Sequence, residues 1–108
     1  MADNFVKVAK MDELPSGQVR VYNADGARLA ICNVGGQIFA IDDTCTHDDG
    51  PLGSGFLEGH AIECPRHGAQ FDVRTGQVLK MPAAFPVRTY ATRIVDGEVQ
   101  VDLGDESA

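Results

Sequence analysis

A chain of 108 residues suffices for one domain, burying roughly two-thirds of its unfolded surface, and with no Trp and few aromatics its core must be built from Val, Ile, Leu and Ala, which suits short strands. The formal net charge of −7 argues against nucleic acid or an anionic membrane as partner, since both require a cationic face, and no apolar stretch approaches the length of a membrane span. Residues 1–4 lack the basic and apolar character of a leader, and three cysteines leave an odd thiol, so a reducing, cytoplasmic setting is expected.

Residues 5–9 alternate and predict a strand, after which Pro15 and Gly17 limit residues 11–17 to one short helical turn. Residues 18–22 alternate again, and the turn chemistry of residues 23–26 predicts a hairpin into residues 27–34. That run is apolar and holds Cys32, which reads as a small buried hydrophobe. Gly35 and Gly36 turn the chain into a further strand at 37–41, with antiparallel pairing expected throughout. Residues 48–55 carry too much Gly and Pro for regular structure and predict a connector. A strand at 59–63 that would leave His60 on the surface, another at 69–73, a turn at 74–77 and a strand at 78–80 make a small sheet. The segment 81–86 is apolar and stiffened by Pro82 and Pro86. Residues 87–95 and 98–103 alternate around Asp96-Gly97, a hairpin signal, and residues 104–108 predict a flexible acidic tail. The expected whole is a single all-β domain over 1–108, an antiparallel sandwich or barrel with residues 43–81 inserted as a metal-binding subdomain.

Two short boxes carry candidate metal ligands, Cys45-Thr46-His47 and, after sixteen residues, Cys64-Pro65-Arg66-His67. Two thiols and two imidazoles point to a transition metal: thiolate favours zinc, copper(I) or iron–sulfur clusters, and imidazole favours zinc, copper, iron or nickel. Structural zinc sites pair Cys with Cys and His with His at wider spacings, whereas each box here mixes the two, and only Thr46 separates Cys45 from His47. A dinuclear site fits that spacing better than one tetrahedral ion. The alternatives are a zinc knuckle, marked by zinc without acid-labile sulfide, and four residues that never meet.

The pattern C-x-H, sixteen residues, C-x-x-H, with Pro65 and Gly68 in place, resembles the Rieske iron–sulfur proteins, in which two His replace two Cys on one iron of a [2Fe–2S] cluster. The resemblance implies a Rieske-like fold and one cluster per chain. It also implies Cys45 and Cys64 on one iron, His47 and His67 on the other, and a cover over the cluster from the segment containing Pro82. Neutral imidazoles leave the cluster less negative than four thiolates do, which places such centres on the order of −150 to +300 mV against about −400 mV for plant-type ferredoxins. High-potential members carry an extra Cys in each box, at the positions of Gly50 and Arg66 here. They also carry a Ser and a Tyr whose hydroxyls bond the cluster sulfurs, where this chain has Ala69 and Phe71. Missing donors, and repulsion from Asp48 and Asp49, predict a potential toward the low end, roughly −150 mV.

This pattern resembles the Rieske-type ferredoxins of bacterial aromatic-ring-hydroxylating dioxygenases. The resemblance implies a monomeric one-electron shuttle between a flavin-dependent NAD(P)H reductase and a terminal oxygenase, with the edges of His47 and His67 facing the partner. Oxygenation by this chain alone is excluded, because the oxygenase iron needs two His and a carboxylate and only His60 is left over. The run from Asp42 to Glu63 holds Asp42, Asp43, Asp48, Asp49, Glu58 and Glu63 with no Lys or Arg, which would either steer a basic partner or simply keep the surface solvated. A ferredoxin for a monooxygenase, desaturase or nitrite-reductase-like system, and a zinc-stabilised binding domain, are the other readings.

Overall fold

The computed structural model describes residues 5–24, 26–43, 55–65, 68–80 and 86–103. Ten strands form among these: β1 (Phe5–Lys10), β2 (Val19–Ala24), β3 (Ala27–Val34), β4 (Gln37–Asp42), β5 (Phe56–Glu58), β6 (Ala61–Glu63), β7 (Gln70–Asp72), β8 (Val78–Lys80), β9 (Thr89–Val95) and β10 (Glu98–Asp102). Six of them make one sheet in the order β1-β10-β9-β4-β3-β2 and four make a second in the order β5-β6-β7-β8, with every pair antiparallel. The edges β1 and β2 approach each other, so the larger sheet curls toward a barrel. The short helical turn appears as a 3-10 segment at Met11–Glu13. The acidic tail expected at 104–108 lies outside the described residues.

The apolar run of β3 follows from its place between two cores. Leu29 and Ile31 point into a core with Ile38, Ala40, Val99 and Val101, which fills the curled sheet. Ala30 and Cys32, on the opposite face, join Ile41, Ile62, Cys64, Phe71 and Val73 in a second core that glues the small sheet onto the large one. A strand buried on both faces has no polar face to alternate with. Cys32 is therefore the structural hydrophobe its sequence context indicated, at 0% exposure. The one buried amide nearby is satisfied: Asn33 donates Nδ2 to the Leu14 carbonyl at 2.7 Å and accepts from the Gly36 N–H at 2.8 Å.

The β9–β10 hairpin has φ values of +52° at Asp96 and +77° at Gly97, the pair of left-handed residues that a two-residue turn of matching twist requires. The small sheet is inserted between β4 and β9, which pair at Ala40↔Tyr90 and Ile41↔Thr89. The chain thus leaves and re-enters the large sheet on neighbouring strands.

Three expectations need correction. The strand expected at 59–63 begins only at Ala61, because Gly59 and His60 form the two-residue loop of a hairpin closed by Glu58↔Ala61, with Gly59 at φ +58°. Its partner β5 had no counterpart among the expected strands. His60 is not simply a surface side chain: its ring is half-buried and meets Phe39 edge-on at 5.7 Å. The strand expected from residue 87 begins at Thr89, because the Val87 N–H donates to the Gly76 carbonyl at 2.8 Å instead of to the ladder.

Candidate metal centre

Of the four residues read as ligands, Cys64 is described, whereas Cys45, His47 and His67 lie outside the described residues, as do Asp48, Gly50, Arg66 and Pro82. Among the described residues no three His, Cys, Asp or Glu side chains converge on a metal position. What the structure supplies is the frame around both boxes.

The second box starts where β6 ends. The Cys64 N–H donates to the Ala69 carbonyl at 2.7 Å and the Gly68 N–H donates back to the Cys64 carbonyl at 3.1 Å, which closes the ends of the box on each other. Gly68 sits at φ +76°, the left-handed conformation a Cβ would strain. Cys64 is a free thiol, 1% exposed. Ala69 and Phe71, both fully buried, lie in the same apolar core and bring no hydroxyl to it. Cys32 shares that core, and burial pushes its thiol up to about 12, so near neutral pH it stays a protonated, apolar side chain there.

The first box follows β4 through a tightly held root. The Asp42 N–H donates to the Arg88 carbonyl at 3.0 Å, and Tyr90 donates its hydroxyl to Asp42 Oδ1. The Asp43 N–H donates to the Arg28 carbonyl at 3.0 Å, while Arg28 Nε donates to Asp43 Oδ2 at 2.7 Å. The Asp43 side chain is 0% exposed. This corrects the reading of the acidic run as one solvated or docking surface: Asp42 and Asp43 are structural, and Glu63 accepts from Gln70 Nε2 at 2.8 Å. Glu58 is the described acid of the run that stays exposed.

On the far side of the small sheet, Gly76 in the β7–β8 turn lies against the segment that returns to β9. A Cβ built on Gly76 would stand 2.0 Å from the Val87 carbonyl oxygen. The turn is further held by Asp72, whose carboxylate takes Arg74 Nε at 3.0 Å and Nη2 at 2.9 Å. Those bonds hold the Asp72 carboxyl below the usual carboxylate value, against the opposing effect of its burial. Sequence reasoning missed Arg28, Asp43 and Gly76 as parts of the frame. Neither an acid two residues before a Cys box nor a Gly followed by a polar residue between short strands reveals those contacts, which depend on partners distant in sequence.

The described residues fit an iron–sulfur centre. A buried, unpaired thiol at the mouth of a hydrogen-bonded loop, backed by apolar side chains, offers a soft ligand in a dry setting. A family model for the Rieske [2Fe–2S] domain matches residues 4–91. The ferredoxin component of the naphthalene 1,2-dioxygenase system of Pseudomonas aeruginosa is 38% identical, over 95% of this chain and 99% of its own. Among solved structures, the ferredoxin of carbazole 1,9a-dioxygenase from Nocardioides aromaticivorans superposes with a TM-score of 0.88 at 33% identity, covering 92% of this chain and 97% of that one. A ferredoxin solved in a complex of reduced oxygenase and oxidized ferredoxin in carbazole 1,9a-dioxygenase gives a TM-score of 0.87 at 37% identity, with 94% of each chain covered.

Proposed function

The chain belongs to the Rieske [2Fe–2S] domain family, and on that premise we propose that it is the ferredoxin component of an aromatic-ring-hydroxylating dioxygenase system. It is a one-electron carrier that converts no substrate itself. It takes electrons from a flavin-dependent reductase using NAD(P)H and delivers them to a terminal oxygenase, as a monomer in the cytoplasm. The single observation that carries this reading is the end-to-end likeness to a dioxygenase ferredoxin component, 38% over 99% of that protein's length. Among the described residues no helix is long and apolar enough to cross a membrane.

In this reading residues 43–81 are the cluster-binding subdomain, with Cys45 and Cys64 on one iron and His47 and His67 on the other. When bound, a Rieske cluster supplies a one-electron store whose potential is raised by its neutral imidazole ligands. The protein's part is placement and exclusion of water. Cys64 presents its sulfur from a loop whose ends are fixed by two backbone hydrogen bonds. Ala69 and Phe71 close the space behind it and withhold the hydroxyl donors that would favour a more negative, reduced centre. Gly50 and Arg66 leave no second pair of cysteines to tie the boxes together. The potential therefore lies toward the low end of the Rieske range, roughly −150 mV.

Reconstitution tests the assignment. With NADH, a flavin reductase and a terminal oxygenase of such a system, product should form only when the chain is added. A chain that dithionite reduces but the reductase does not, at any ionic strength, would remove it from this role.

A further inference from the structure

The root of the first box contains an ion pair between an exposed arginine, Arg28, and a fully covered carboxylate, Asp43. The β3–β4 ladder ends at Leu29↔Asp42. One step further, Arg28 holds residue 43 twice, through its carbonyl to the Asp43 N–H and through Nε to the Asp43 carboxylate. A fully covered carboxylate is costly unless paired, and an apolar side chain would fill the same space at lower cost. What the pair adds over an apolar contact is direction. Arg28 itself is 62% exposed along its side chain, so a surface residue covers and aims a buried one. On the other side, Asp42 is held by the Arg88 carbonyl and the Tyr90 hydroxyl. The Arg88 guanidinium in turn lies 4.7 Å over the Tyr90 ring. The exit from β4 is thus clamped from two strands immediately before Cys45.

We propose that Arg28 is a positioning residue for the metal centre: through Asp43 it fixes the end of β4, two residues before Cys45 in the sequence, and so slows the loss of iron. The proposal rests on the ligand assignment above.

Iron release from the holoprotein to a ferrous chelator, with the EPR spectrum of each reduced variant, tests it. Arg28→Gln is expected to speed release by roughly ten- to a hundredfold, the factor that losing a hydrogen bond to a charged group gives in an opening equilibrium. It should also broaden the EPR lines, because a less firmly held end of β4 leaves the centre in more than one environment. Arg28→Lys restores part of the effect, as a point charge without the directed Nε–H. Asp43→Asn keeps an acceptor and loses the charge, and decides the matter if Arg28→Gln does not fold: release faster than wild type supports the clamp, and release at the wild-type rate overturns it. Val99→Ala, in the other core, is the control, expected to lower the melting temperature without changing line shape. If Arg28→Gln and Val99→Ala release iron equally fast with the wild-type spectrum, Arg28 is an ordinary stability contact and the proposal falls. A wild-type protein that binds no iron and sulfide would overturn the ligand assignment, and the clamp with it.

Discussion

Replacing Gly76 by Ala should damage the protein far more than its place in a surface turn suggests. The new Cβ would stand 2.0 Å from the Val87 carbonyl oxygen and 3.1 Å from Thr89 Cγ2, and the obstructing atom is backbone, so the turn and the returning segment must separate. Separation breaks the Val87 N–H to Gly76 carbonyl bond of 2.8 Å, worth about 0.5–1.5 kcal/mol, and loosens the buried Val87. The φ of +80° adds about 1–2 kcal/mol for any residue with a Cβ. Together these give about 2–4 kcal/mol, a large share of a typical domain's stability, and a melting temperature lower by roughly 10–25 °C. Gly97→Ala separates the two contributions, because Gly97 has φ +77° with nothing within 4 Å of its Cβ position, and should cost only about 1–2 kcal/mol. Because the Gly76–Val87 bond ties together the two ends of the stretch containing Pro82, Gly76→Ala should also bleach its visible absorption at a lower temperature than Gly97→Ala does. Equal melting temperatures for the two variants, measured by far-UV circular dichroism on holoprotein, would refute the close approach as a structural tie.

Other outcomes follow from single side chains. Ala69→Ser places a hydroxyl in the fully buried shell beside Cys64 and should raise the potential by on the order of 60 mV, the equivalent of one hydrogen bond to a charged acceptor; a redox titration that leaves the potential unchanged would count against the missing donor as its cause. Cys32, with its thiol pushed up to about 12 by burial, should resist iodoacetamide at pH 8 in the folded protein and react once unfolded. Between its ordinary value of 9.0 and about 12 the native state keeps a proton the unfolded chain gives up, so stability falls as pH rises through that window, and Cys32→Ala should flatten that alkaline limb in urea unfolding curves. Asp72 shows the opposite sign: its carboxyl lies below 3.8 in the folded state, so its contribution is present above that pH and is lost as pH falls below it. Asp72→Asn should therefore flatten the acid limb of the same stability profile.

Much of the large sheet was legible because its signals are local. Asp-Gly and Gly-Gly turns stand between alternating runs, and the central strand announces its burial by having no polar face. The two boxes stand out in the sequence because mixed Cys and His narrow the choice of metal, while Cys45, His47 and His67 lie outside the described residues. The small sheet was harder. Three-residue strands such as Phe56–Glu58 draw their stability from partners rather than from propensity, so only pairing with β6 identifies them. The role of Asp43 could not be read at all from an acidic run, because whether a carboxylate is solvated or buried depends here on Arg28, fifteen residues earlier. Gly76 was unreadable for the same reason: its requirement is set by Val87, which folds back against it.

The central claim, a His-ligated [2Fe–2S] centre in this chain, is tested most directly by EPR of the dithionite-reduced protein with iron, sulfide and zinc quantified on the same sample. Two irons and two sulfides per chain are expected, with a rhombic signal whose average g lies below that of clusters held by four cysteines. A silent sample with stoichiometric zinc and no sulfide, or a signal indistinguishable from that of an all-cysteine cluster, would contradict it.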